Sequence, residues 1–181
     1  GRMDDHQEWS DMKLAMSHIG MSMKEQNKVF YVLASILHLG NVKFKPHRVG
    51  NTDGSKIRDS RALKLAASYI EVDPDQLEKA LCFRHMETSG EVFEVPHNVV
   101  QANAARDALA KCLYSKLFDK IVSYVNRALE EAAAGEDEDD TLSIGVLDIY
   151  GFEVFAKNGF EQFCINFVNE KLQQIFIELT L

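Results

Sequence analysis

Ser143-Ile144-Gly145-Val146-Leu147-Asp148-Ile149-Tyr150-Gly151-Phe152-Glu153-Val154-Phe155 is the stretch around which the rest of the chain is organised. Ile144, Val146 and Leu147 make a short apolar run rich in β-branched residues, bounded by turn chemistry, and that pattern predicts a buried strand. The run ends in Asp148, and three residues later comes Gly151. A carboxylate at the carboxyl end of a buried strand can hold a metal-bound water. A glycine just beyond it lets a backbone N–H approach a phosphate oxygen with no Cβ in the way. Asp-x-x-Gly alone fits a strand entering a turn as well as it fits a phosphate sensor, so the flanking chain has to decide.

The totals narrow the field. A chain of 181 residues is long enough for one domain with a sizeable core, and 46% hydrophobic with 27% charged residues places it among soluble globular proteins. A formal net charge of -8 leaves no basic stripe to neutralise phosphates, which argues against a nucleic-acid partner. No apolar run approaches a membrane-spanning length, and no secretory signal opens the sequence. Cys82, Cys112 and Cys164 are far apart, odd in number and set among apolar neighbours; they read as reduced, buried fillers. No Cys/His cluster has zinc spacing.

Taken in order, the chain reads as mainly helical. Asp4 and Asp5 open a helix with Trp9, Met12, Met16 and Ile19, and Gly20 stops it. Ser22 and Glu25 have the spacing of a capping box for a second helix, apolar enough to be buried on most sides, in which His38 reads as a core or boundary histidine. Val42 to Lys45 reads as a short strand, and Pro46 to Ser55 as a surface loop or hairpin tip. Gly50 to Lys56 has the look of a phosphate loop, but its glycine spacing is one short and Ser precedes Lys, so it is rejected. Asp59 or Ser60 caps a third helix, and Asp73-Pro74 starts a fourth through about Leu81. Residues 83–96, with Ser89-Gly90 in the middle, read as a projecting hairpin.

Asn98 and Gln101 repeat the capping-box spacing and open a long central helix over 98–134, roughly 50 Å at 1.5 Å per residue. Its stripe of Ala102, Ala105, Leu109, Cys112, Leu113, Leu117, Ile121, Val125 and Leu129 is assigned to the core. The five acids Glu136 to Asp140 read as a solvated loop. After the strand, Asn158 and Glu161 cap a final helix with a broad apolar face from Phe160 to Leu179. The expected divisions are thus 1–134, an acidic loop at 135–141, a strand and turn at 142–157, and the last helix at 158–181.

The continuation Asp-Ile-Tyr-Gly-Phe-Glu, followed by Asn158-Gly-Phe-Glu-Gln-Phe-Cys-Ile-Asn-Phe-Val-Asn-Glu-Lys-Leu-Gln-Gln174, closely resembles switch II and the start of the relay helix of the myosin motor domain. Ser35-Ile-Leu-His-Leu-Gly-Asn-Val-Lys-Phe44 and Ala105-Arg-Asp-Ala-Leu-Ala-Lys-Cys-Leu-Tyr-Ser-Lys-Leu-Phe118 are similar to the family's upper actin-binding subdomain. The ending Ile175-Phe-Ile-Glu-Leu-Thr-Leu181 resembles the short-tailed class I members. The resemblance implies an α+β fragment of a P-loop NTPase motor, with the strand before Asp148 separated from its sheet neighbours. By motif, Asp148 would hold a water on the Mg²⁺ of bound ATP. The Gly151 amide would meet the γ-phosphate, and Glu153 would pair with a switch I arginine and help order the attacking water. Sixteen residues before Asp107 stands Glu91, at an actin-facing hairpin position that is acidic or phosphorylatable in the family.

What the resemblance implies for partners is actin filaments, the rest of the motor and light chains, in a cytoplasmic, cytoskeletal setting, without nucleic acid or membrane contact from this segment. No Gly-x-x-x-x-Gly-Lys-Ser/Thr and no switch I motif stands within the 181 residues, so this polypeptide alone is expected not to hydrolyse ATP. Its unpaired strand and aromatic helix face invite self-association. Two other readings stay open on the residues: another switch-II-type NTPase, kinesin-like or a GTPase, and a non-enzymatic helical interaction module.

Overall fold

Local capping chemistry sets most of the helix starts in the computed structural model, which describes residues 4–88, 90–133, 144 and 148–180. The order is α1 (Asp5–His18), α2 (Met23–Asn41), β1 (Phe44–Val49), β2 (Thr52–Ile57), α3 (Ser60–Tyr69), α4 (Pro74–Cys82), β3 (Phe83–Thr88), β4 (Glu91–Pro96), α5 (Val99–Ala133) and α6 (Phe160–Thr180). Among the described residues the chain is mainly helical, with two antiparallel two-stranded sheets, β1-β2 and β3-β4. It divides into two units, Gly1–Ala134 and Gly135–Leu181.

In the first unit Asp4 caps α1 and Asp73 caps α4, each accepting two backbone N–H bonds. Ser22 and Glu25 close a complete capping box on α2, and Asn98 and Gln101 exchange the equivalent bonds on α5. Helix α1 ends through Gly20 at φ +79°, whereas α3 ends through Glu71 at φ 56°, a left-handed turn that a side chain adopts at some cost. Pro46 to Ser55 is more ordered than a loop: β1 continues through Val49, Gly50-Asn51 make the turn, and β2 returns with His47 opposite Gly54 and Pro46 opposite Ser55. Pro46 is tolerated because this two-stranded sheet consists only of edges.

The main core lies between α2, α3, α4, the β1-β2 hairpin and the first half of α5, centred on Leu39, Val42, Leu63, Ala66, Leu81 and Ala102. Ser35, fully buried, donates its hydroxyl to the Ala66 carbonyl at 2.9 Å and pins α2 against α3. A second, smaller cluster of Met21, Val29 and Tyr124 joins the α1-α2 corner to the middle of α5.

Three expectations of burial need correcting. Helix α2 is not enclosed on most sides: Leu37 is 73% exposed and Tyr31 49%, because α3, α5 and, through Trp9 on Phe30, α1 leave part of its surface open. His38 is a boundary residue stacked on Tyr69 at 5.7 Å. In the second half of α5, Tyr124 is buried and Val125 faces out, about 100° further round the helix; Leu129 lies a turn beyond the last enclosed position. Cys112 is exposed for the same rotational reason beside Leu113, and Cys164 is exposed too, leaving Cys82 as the buried thiol.

Tyr124 also donates its hydroxyl to Glu25, the acid that closes the α2 capping box, and Arg127 and Lys120 flank its ring at 4.9 Å each. The Ser22 hydroxyl first, then Tyr124 and the Ser22 N–H, hold the Glu25 carboxyl down to about 2 from an ordinary 4.5. The group is more acidic folded than unfolded, so its stabilising contribution is complete above about 4.5 and is lost as pH falls toward about 2. Tyr124→Phe is therefore expected to raise the pH midpoint of acid unfolding, measured by circular dichroism. An unmoved midpoint would show that the clasp contributes nothing.

Residues 135–143 and 145–147, which carry the acidic loop and most of the expected strand, lie outside the described residues; Ile144 is in irregular structure and 95% exposed. Within the second unit, Asp148 to Phe155 follow an irregular path before α6. The aromatic face of α6 is open, with Phe160 77%, Phe163 64% and Phe167 55% exposed. The expected cap takes a different form: Asn158 bonds backward, accepting from Phe155 N–H at 3.0 Å and donating to the Phe155 carbonyl at 2.6 Å. No described helix is long and apolar enough to cross a membrane.

Candidate functional site

Three of the four site residues named from sequence share one segment. Asp148 is exposed in irregular backbone, Gly151 is exposed with nothing within 4 Å of where a Cβ would stand, and Glu153 is half-buried. Glu91 belongs to the first unit, opening β4 with its backbone opposite Thr88.

What fixes the segment is α6. The Asn166 side chain, 7% exposed, accepts from the Glu153 N–H at 2.9 Å and donates to the Glu153 carbonyl at 2.8 Å. One amide thus satisfies both backbone groups of a residue, as a neighbouring strand would. One turn on, Asn169 donates to the Gly151 carbonyl at 3.1 Å. Positions 166 and 169 share a helix face, and they bond residues 153 and 151 in that order, so the irregular segment is tied alongside α6 in the opposite direction. One turn back, Gln162 donates to the Glu153 carboxylate at 3.0 Å and holds that side chain in place. Phe152, Val154, Phe163 and Phe167 line the adjoining groove of about 540 Å³.

The motif by itself gives Gln162, Asn166 and Asn169 no role. A signal was present: three amides spaced 162, 166 and 169 along a helix otherwise rich in large apolar residues. Chemically the arrangement leaves one carboxylate, Asp148, in the open. It presents a glycine whose carbonyl is anchored, and holds a second carboxylate, Glu153, in a fixed pose. Among the described residues no cluster of three or more His, Cys, Asp or Glu side chains is placed to hold a metal by itself.

A family profile described as Myosin head (motor domain) matches residues 1–181. The chain is 52% identical over 184 residues to Myosin-1 of Aspergillus oryzae, covering 99% of this chain and 14% of that protein. It is 49% identical to Myosin-1 of Vanderwaltozyma polyspora with the same coverage. It is 48% identical to Myosin-5 of Candida albicans, covering 99% of this chain and 13% of that protein. The chain spans 14% or less of the length of these curated relatives.

Proposed function

The chain belongs to the myosin motor-domain family, and on that premise we propose that it is the portion of an ATP-driven actin motor that senses the nucleotide's terminal phosphate and starts to transmit that state. Membership removes the kinesin-like and GTPase alternatives, and the Myosin-1 relatives support the class I reading. The observation that carries the proposal is the tether of Gly151 and Glu153 to α6 through Asn169 and Asn166. A backbone amide that answers a phosphate is thereby linked to a helix of 21 residues, about 32 Å long.

The residues present fit Mg²⁺-ATP as far as they reach. Asp148 offers a hard carboxylate oxygen, and the open space at Gly151 admits a close backbone approach. When bound, the nucleotide supplies the phosphoanhydride bond and the metal the charge compensation for its cleavage. Asp148 would hold a water in the metal's coordination shell. The Gly151 N–H would donate to a γ-phosphate oxygen, and Glu153, posed by Gln162, would pair with an arginine from switch I and orient the attacking water. Movement of the segment would pull on α6, a two-state element of the kind that converts a missing phosphate into displacement. The isolated chain, with neither a phosphate loop nor the arginine within its sequence, is expected to show no Mg²⁺-ATPase.

Glu91, in the β3-β4 hairpin, would place a permanent negative charge against actin, without a need for phosphorylation. The setting would be the cytoplasmic actin cytoskeleton, with light chains bound elsewhere on the full polypeptide. In the full-length motor, Glu91→Ala is expected to raise the actin concentration for half-maximal ATPase about fivefold, the scale of one interfacial charge. Actin-activated turnover measured against filament concentration is the test, and an unchanged curve would defeat the actin-facing assignment.

A further inference from the structure

The β3-β4 hairpin is tied to the first unit by several bonds at its base. At the exit of β4 the His97 N–H donates to the Cys82 carbonyl at 2.7 Å, and the His97 ring Nδ1 meets the Leu81 carbonyl at 3.0 Å. A carbonyl can only accept, so Nδ1 carries the proton of that bond. These contacts close the two ends of the hairpin on each other. Leu81 and Cys82 are the last residues of α4, so the same contacts anchor the hairpin base to that helix.

Three further contacts bear on how the closed hairpin is angled against the body. Ser55 of β2, 2% exposed, donates its hydroxyl to the His97 carbonyl at 2.8 Å. Beside it, Gly54 lies so close to the end of β4 that an added Cβ would stand 3.1 Å from Pro96 Cβ and 2.9 Å from the His47 carbonyl oxygen. On α4, Lys79 reaches Glu94 of β4 at 2.6 Å, with His85 of β3 on the same carboxylate at 3.5 Å. The Lys79 ammonium holds the Glu94 carboxyl below the usual carboxylate range. Helix α4 is itself tied to β2, since Glu78 accepts from the Ile57 N–H at 3.2 Å. The β1-β2 hairpin and α4 therefore form a linked support on which the second hairpin leans.

We propose that Gly54, Ser55 and Lys79 are positioning residues that set the pose of the β3-β4 hairpin, and through it the affinity of the motor for actin. The second half rests on the actin-facing reading of that hairpin; the first half does not. An exposed pair such as Lys79–Glu94 is weak by itself. Here it acts together with a buried hydroxyl bond and a close backbone approach that an added Cβ would crowd. An interface that must dock in one orientation gains from an element whose angle is already fixed.

The experiment uses the full-length motor with Ser55→Ala, Lys79→Glu, and the charge swap Lys79→Glu/Glu94→Lys. Hydrogen exchange of segment 83–96 is expected to quicken about fivefold in each single variant and to return toward the parent rate in the swap. The actin concentration for half-maximal ATPase is expected to rise about fivefold in the single variants, with basal and maximal turnover unchanged, and to recover in the swap. The swap keeps the test valid if Ser55→Ala loosens the fold as a whole. Unchanged exchange across 83–96 overturns the support, whatever actin does. If Glu91→Ala weakens actin binding while these variants do not, pose is overturned as a determinant of affinity. Faster exchange with actin indifferent to these variants and to Glu91→Ala alike leaves the support standing and removes the actin reading instead.

Discussion

Gly151→Val in the full-length motor is expected to lower steady-state ATP turnover by about a hundredfold or more, the scale of losing one preorganised donor to developing phosphoryl charge. The fold should not register the change. Nothing stands within 4 Å of a Cβ built at Gly151, and its backbone is not in the left-handed region that favours glycine. The first carbon of a valine side chain therefore meets no clash, but the side chain occupies the space through which a phosphate oxygen would approach the N–H. Thermal unfolding should stay within about a degree of the parent, because surface substitutions away from packed features change stability little. Turnover within about threefold of the parent would mean that this amide does not read the phosphate.

Asn166→Leu is expected to free the same segment from the other side. Leucine has nearly the shape of asparagine and none of its hydrogen bonds, so the Glu153 N–H and carbonyl lose their partner together. At about 1 kcal/mol or more for each abandoned group, opening of the tether should become roughly thirtyfold more populated. Hydrogen exchange at the Glu153 amide measures this directly. Asn166→Asp provides the finer comparison: it retains the acceptor for the Glu153 N–H but sets an oxygen against the Glu153 carbonyl. Exchange at Glu153 should again rise. In the full motor both variants should separate ATP turnover from filament movement, because the segment could respond without drawing α6 along. Motility that falls only in proportion to turnover would show that the amide is not the link.

Much of the architecture could be read from local chemistry. Ser22 with Glu25, Asp73 with Pro74, and Asn98 with Gln101 each satisfy backbone groups within three residues, so their meaning is complete in the sequence. The contacts that fix geometry reach further. Tyr124 meets Glu25 across 99 residues, Ser55 meets His97 across 42, and Arg106 meets the Val42 carbonyl across 64 at 2.8 Å. No periodicity announces such partners. The assignment of Val125 in place of Tyr124 to the core shows the same limit: a helical stripe gives a face to within about 100°, and the packed neighbour chooses the residue. At the candidate site, Asp148, Gly151 and Glu153 were marked by motif. The amides that hold Gly151 and Glu153 were hidden among ordinary helix residues, because a single Asn looks the same whether it faces solvent or a backbone.

The tether of Gly151 and Glu153 to α6 also bears on speed. Releasing it unmakes no rung of a sheet and no turn of the helix; it asks only that terminal amides swing about their χ torsions. Rotamer hops at accessible side chains take picoseconds to nanoseconds, while forming even a small hairpin takes about 1–10 μs. Asn169, less enclosed than Asn166, should let go first, so the joint peels from its Gly151 end and the buried rung follows. On the proposed reading, the enclosed Asn166 amide would be the slower of the two to let go, and its turn would set the pace of release.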